Sequence, residues 1–196
     1  MKKIKSLVIV AHPDDETIWM GGTILNNPNW EWTILSLCRK DDKDRAPKFA
    51  KVCKELNASY FISDLDDEKF NEINSWDIIN RIKSMKENIN YDYIFTHGEN
   101  GEYGHIRHID VYRAVNEMIK IGELKCKKIF YFAYEGKNLP GKFCDIDKNA
   151  NKFIKLSKDV HSRKKYLIKN IYGFNDESFE VKSSKDIEAF NVKELI

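Results

Sequence analysis

Apolar residues follow two alternating rhythms along this chain. Short runs rich in β-branched and aromatic residues occur at 6–11 (SLVIVA), 32–38 (WTILSLC), 58–63 (ASYFIS), 91–97 (YDYIFTH) and 128–134 (KIFYFAY), and runs of this length bounded by polar residues read as strands. Between them, 44–57 (DRAPKFAKVCKELN), 75–88 (SWDIINRIKSMKEN) and 108–121 (HIDVYRAVNEMIKI) place apolar residues three and four apart, the spacing that gives a helix one oily face. A further helix is expected to open in DETIWMGGTIL (15–25). Strand and helix therefore alternate, which predicts βαβ units, right-handed crossovers and a doubly wound α/β fold with a mostly parallel sheet. Such a sheet binds ligands outside the carboxyl ends of its strands.

After the fifth run the pattern loosens. Residues 135–152, rich in Gly, Asn, Asp and Pro, read as a long loop, and a late helix is expected around 157–170. Its SRKK cluster (162–165) reads as a solvated face, and 176–196 show no legible chemistry. With 196 residues, 42% of them hydrophobic, the chain can bury one substantial core, so 1–196 are expected to form a single domain. Lys and Arg total 33 against 31 Asp and Glu, so bulk charge supplies no attraction to nucleic acid. The opening MKKIKSLVIVAHPDDE mimics a signal peptide, but its apolar run ends in charges and falls short of the roughly 7 residues of an h-region. No run approaches the roughly 20 apolar residues of a membrane span, and the chain is expected to be soluble and cytoplasmic. Cys38, Cys53, Cys126 and Cys144 form no Cys-x-x-Cys pair and read as reduced thiols, Cys38 and Cys126 as core residues.

The chemistry gathers at two strand exits. AHPDDE (11–16) follows the first strand directly: Pro13 stiffens the turn, and Asp14 and Asp15 fall at the start of the next helix. One carboxylate would suffice to cap that helix. Two carboxylates and an imidazole exceed what capping requires. The fourth strand runs into THGENGEYGHIRHIDVYRAV (96–115), where His105 and His108 stand three apart at the start of a helix, on one face of it. A catalytic zinc commonly takes three protein ligands and keeps one position open. The candidate set is His12, Asp15 and His108, with Zn2+ favoured and Fe2+ or another divalent ion compatible with the same donors. Asp14 would then be free as the general base toward water, and His105, protonated, would stabilise an oxyanion. An exchange of roles between His105 and His108 fits the spacing equally.

AHPDDE and GEYGHIRH (101–108) together resemble the PIG-L/LmbE-like de-N-acetylase superfamily, which includes the N-acetylglucosaminyl-phosphatidylinositol deacetylases; the resemblance spans 4 to about 135. It implies a Rossmann-like three-layer sandwich and metal-dependent removal of the N-acetyl group from a small-molecule amino sugar or its glycoside, with release of acetate and a free amine. It also implies His12, Asp15 and His108 as metal triad, Asp14 as base and His105 as second catalytic histidine. DRAPKFAKVCKELNA (44–58) is similar to the family's Arg-containing second helix, making Arg45 a substrate-binding candidate. Two positions depart from the pattern. Ile106 and Arg107 stand where many relatives carry Pro and Asp, so Asp110 or another acid is expected to supply any carboxylate support, and Lys48 replaces a frequent acid.

Other residues have two readings each. His97 would contact ligand or cap its strand, and Tyr103 would donate to substrate or pack under a loop. Gly98, Gly101 and Gly104 lack the dinucleotide spacing and read as a flexible rim. Trp19 reads as core, and Trp30 or Trp32 as a platform for a sugar ring. A non-haem iron oxygenase would use the same donor types, and a metal- and sugar-binding module without catalysis would need only the pocket. A homo-oligomer is compatible with the chain.

Overall fold

The computed structural model describes residues 3–69, 71–85, 90–136 and 143–195. In chain order the elements are β1 (Lys5–Val10), α1 (Asp15–Asn26), β2 (Glu31–Cys38), α2 (Arg45–Glu55), β3 (Ser59–Leu65), α3 (Ser75–Met85), β4 (Tyr93–Thr96), α4 (Gly101–Gly104), α5 (Ile106–Lys120), β5 (Lys128–Phe132), β6 (Tyr134–Gly136), β7 (Cys144–Ile146), β8 (Lys152–Lys155), α6 (Lys158–Tyr166), a π-helical turn at Leu167–Tyr172, α7 (Phe179–Ser183) and β9 (Ile187–Glu194).

The sheet runs β3-β2-β1-β4-β5-β9-β8, with β1 to β5 parallel and β9 antiparallel to both neighbours. Helices cover both faces. Leu7 and Ile9 of β1 pack with Ile78 and Ile82 of α3 and Val111 and Val115 of α5, while Val8 and Val10 pack with Ile18 and Trp19 of α1 and Phe49 and Val52 of α2. A strand buried on both sides has no polar face to alternate with, which is why the first run is apolar throughout. The sheet is thus the mostly parallel α/β sandwich expected of a Rossmann-like fold.

The topology places the site. From β1 the chain steps outward to β2 and β3, and then crosses back to β4 on the other flank of β1. The carboxyl ends of β1 and β4 therefore lie side by side where the winding reverses, and the loops leaving them diverge into a crevice. Those loops are the two histidine-bearing segments.

The C-terminal third differs from expectation. The long loop contains β6 paired with β7, and β8 begins at its end; residues 137–142 of that loop lie outside the described residues, as do 86–88 of the expected third helix. The late helix ends at Tyr166 and continues as a π-helical turn. Residues 187–194, which carry no turn or chemical signal of their own, become β9 by pairing antiparallel with β5, and β8 in turn pairs along the far side of β9 as the sheet's edge. The SRKK cluster is not wholly a solvated face, because Lys164 is fully buried. Its Nζ donates to Glu188 Oε1 at 2.7 Å, and Glu188 also accepts from the N–H groups of Gly22 and Thr23 at 2.7 Å each. No helix among the described residues is long and apolar enough to cross a membrane.

Breaking one partner of a buried ion pair strands the other charge, at a cost of about 3–5 kcal/mol. Lys164→Met is therefore expected to lower the unfolding free energy by that order in urea titration. A loss under about 1 kcal/mol would show that the pair contributes little to the union of α1, α6 and β9.

Candidate metal centre and active site

The turn after β1 is strained. Asp14 has φ 117°, in the left-handed region that a residue with a Cβ occupies at a cost of about 1–3 kcal/mol. Its carbonyl accepts from the N–H groups of Thr17 and Ile18 at 2.9 and 2.8 Å, yet its carboxylate makes no capping bond. That side chain meets the guanidinium of Arg45 at the start of α2. Glu16, buried behind the turn, holds it in place by accepting from the Asp14 N–H at 3.0 Å and from the Tyr172 hydroxyl at 2.8 Å. Burial pushes the Glu16 carboxyl up to about 7. Burial, then the Asp15 charge, raises Asp14 well above the usual carboxylate range, against the pull of Arg45.

Three donor atoms converge beside that turn. His12 Nδ1 lies 3.2 Å from His108 Nε2 and 3.3 Å from Asp15 Oδ2, and His108 Nε2 lies 3.4 Å from the same oxygen. Ligand atoms about 2.0–2.1 Å from a tetrahedral zinc are about 3.3–3.4 Å apart, so the triangle already has the spacing of three corners of such a shell. The ring nitrogens of His12, His105 and His108 also lie within 4.8 Å of one another.

Each atom pointing away from the triangle has a partner. His12 Nε2 meets Asp67 Oδ1 at 2.9 Å, His108 Nδ1 meets Glu102 Oε2 at 2.5 Å, and Asp15 Oδ1 accepts from Trp19 Nε1 at 2.9 Å. Carboxylates behind ligand histidines fix the tautomer and orient the ring. Burial alone would lower His108, but Asp15 and the hydrogen bonds to Asp15 and Glu102 hold it up at about 10. Against the same burial, His97 and His108 hold Glu102 down to about 2. Two buried carboxylates thus demand a positive charge between them, which a proton on His108 or a divalent cation can supply; the cation would require the ring to be neutral. The donor set fits a metal of the zinc or ferrous type.

His105 caps α5, its Nδ1 accepting from the Arg107 N–H at 3.2 Å. That bond leaves Nε2 as the proton-bearing nitrogen of a neutral ring. Burial, then the charges of His108 and His12, push His105 down to about 3. In metal-free protein this favours a neutral ring, with its Nε2–H free to donate, over the protonated His105 expected. Together with Asp14, Asp15, Arg45 and Tyr103 it lines a cavity of about 280 Å3, whose wall also includes Trp19 and Phe179.

Other expectations are redistributed. His97 is not on the cavity wall: it is fully buried, accepts from the Ala11 N–H at 2.9 Å through Nε2, and meets Glu102 Oε2 at 2.9 Å through Nδ1. Its ring stacks on His108 with centroids 3.8 Å apart, so it buttresses that ring and has no free nitrogen for substrate. Trp30 and Trp32 stack on each other at the amino end of β2, opposite the site, and are no sugar platform there. Gly98 to Gly104 are not a loose rim. A Cβ on Gly98 would come within 2.4 Å of the Phe132 carbonyl oxygen, Gly101 has φ 60°, and the segment delivers the buried Glu102. Asp110 supports Arg107 and not the histidines; the supporting acids are Asp67 and Glu102. Lys48 pairs with Asp44 at 2.7 Å. Asp67, Glu102, Glu16 and Arg39, which meets Asp67, were not anticipated. Glu16 and Glu102 stand inside the two motifs without a role legible from spacing, and Asp67 and Arg39 follow strand exits in segments that read as ordinary loops.

Comparison with known proteins agrees with this picture. Residues 7–119 match the family described as PIG-L, GlcNAc-PI de-N-acetylase. An uncharacterized protein of Acanthamoeba polyphaga mimivirus is 24% identical over 183 residues, covering 84% of this chain and 77% of its own. Among solved structures, a conserved protein of Thermus thermophilus superposes with a TM-score of 0.71 at 14% identity, covering 95% of this chain and 93% of its own. The N,N'-diacetylchitobiose deacetylase of Pyrococcus horikoshii gives 0.66 at 16% identity, covering 97% of this chain and 84% of its own. These structures share the fold.

A depressed His105 makes a direct spectroscopic prediction. In metal-free protein its ring resonances should stay those of the neutral Nε2–H tautomer from about pH 8 to about pH 5, a span in which an ordinary histidine gains its proton near 6.5. An NMR titration with a midpoint above about pH 6 for His105 would contradict the assignment.

Proposed function

The chain belongs to the PIG-L, GlcNAc-PI de-N-acetylase family, and from that premise we propose that it is a divalent-metal-dependent hydrolase that removes the N-acetyl group from an amino sugar or its glycoside. Acetate and a free amine would be the products. The observation that carries this reading is the triangle of His12 Nδ1, Asp15 Oδ2 and His108 Nε2, with sides of 3.2–3.4 Å and a partner behind every ligand. The triad would hold zinc, or ferrous iron in its place. A cation there supplies Lewis acidity, polarising the amide carbonyl and making water more acidic.

The chain's own groups divide the remaining work. Asp14, beside the triad and outside it, takes the proton from water as water attacks the acetamide carbon, and then passes it to the departing amine nitrogen. Burial raises the proton affinity of its carboxyl and Arg45 restrains it, the balance a group needs if it must both accept and return a proton. The Nε2–H of His105 donates to the oxyanion that forms as the carbonyl carbon becomes tetrahedral. Tyr103 and Arg45 on the cavity wall contact the substrate, and Phe179 gives its apolar faces a surface to rest on. The name of the Pyrococcus deacetylase supports an N-acetylated sugar as the substrate class.

The test is amine release from a panel of N-acetylglucosaminides with added zinc, a chelated control and the Asp14→Asn variant. Turnover should vanish on chelation and return with zinc. The variant should lose about 10²–10⁴-fold in kcat with its metal content unchanged. Activity that survives either treatment would remove Asp14 or the metal from the mechanism, and a metal-loaded protein inert toward the whole panel would favour a binding module.

A further inference from the structure

Arg107 is 1% exposed, and its guanidinium makes four hydrogen bonds. Nε donates to the carbonyl of Asp66 at 2.5 Å, Nη1 to the carbonyl of Asn71 and to Asp110 Oδ2 at 2.7 Å each, and Nη2 to the carbonyl of Lys69. Three of these four acceptors are backbone atoms of the segment that follows β3. Asp66, Glu68 and Lys69 of that segment are exposed. It carries Asp67, whose Oδ1 meets His12 Nε2 at 2.9 Å and whose Oδ2 meets Arg39 at 2.5 Å. Arg107 is also the immediate neighbour of His108 in the first turn of α5.

We propose that Arg107 is a positioning residue for His12: its grip on the carbonyls of Asp66, Lys69 and Asn71 fixes Asp67 against His12 Nε2, and so aims His12 Nδ1 at Asp15 and His108. One turn of helix then sets two corners of the triangle, His108 directly and His12 through the clamped segment. The shape of the side chain is what matters. A planar guanidinium can serve several carbonyls at fixed angles, whereas a lysine ammonium brings the same charge to a single point. The charge is balanced by Asp110, so the clamp adds no net charge to the site.

The inference rests on the metal-site reading above, and two measurements separate their failures. The first is zinc affinity by competition with a chromophoric chelator for the native protein, Arg107→Lys, Asp67→Asn and the double variant. Arg107→Lys keeps the charge beside Asp110 and is expected to weaken zinc binding about 10–100-fold. Asp67→Asn should do the same, and the double variant should be no weaker than Asp67→Asn alone. The second is the ¹⁵N spectrum of the His12 ring in metal-free protein, where Arg107→Lys should shift the Nε2 signal toward that seen in Asp67→Asn. Unchanged affinity with an unchanged His12 signal, or additive losses in the double variant, would overturn the proposal. A shifted His12 signal in a protein that binds no zinc would uphold the clamp and sink the metal reading. If Arg107→Lys does not fold, Arg107→Gln with Asp110→Asn removes both charges of the buried pair together and gives the same comparison.

Discussion

Asp15 and Glu102 are buried within a few ångströms of one ring, His108, and the need to neutralise them organises the whole site. A buried carboxylate without a partner is prohibitively costly, so every group that approaches this pair brings a proton or a donor. His97 and the Gly98 N–H meet Glu102, while Trp19 and the His12 N–H meet Asp15. The donors are themselves held by strands or helices, which is how a charge requirement becomes a fixed geometry. What remains are three donor atoms, His12 Nδ1, Asp15 Oδ2 and His108 Nε2, facing one another at 3.2–3.4 Å.

The scaffold concentrates its strain around that demand. Of the four described non-glycine residues with positive φ, three belong to the site: Asp14 at 117°, Arg39 at 71° and Glu102 at 58°. Each lies beyond the carboxyl end of a parallel strand, where the chain must turn toward its next element. A relaxed turn would aim Asp14 at the N–H groups of α1 as an ordinary cap. The strained one turns it toward Arg45 and the cavity. The rigidity to hold such turns comes from β1 and β4, which are locked by layers of helix on either side.

The clamp at Arg107 shows how a departure from a family pattern can be absorbed. A carboxylate at that place could have supported a histidine directly; the arginine turns away from the histidines and toward the segment after β3. The carboxylate support then comes from Asp67 on the segment it holds and from Glu102 on α4. Hydrogen-bonded support for His12 and His108 is thereby assembled from segments far apart in the chain.

The alternating rhythms of the chain determined the parallel sheet, because apolar runs bounded by polar turns and one-sided helices have few ways to bury both sets of faces. Local spacing likewise determined that His12, Asp14 and Asp15 share one turn, and that His105 and His108 share another. Only tertiary structure decided that β4 docks beside β1, bringing His108 Nε2 to 3.2 Å from a ring 96 residues earlier. It alone recruited Asp67, Glu102 and Glu16, whose surroundings in the sequence are those of common loop or helix-start acids. It also drew Lys164 inward and closed β9 into the sheet, since a partner such as Glu188 exists only once the chain has folded. Periodicity reports how each segment meets the core, whereas the partner of a buried charge is set by contacts between segments far apart, which no local pattern encodes.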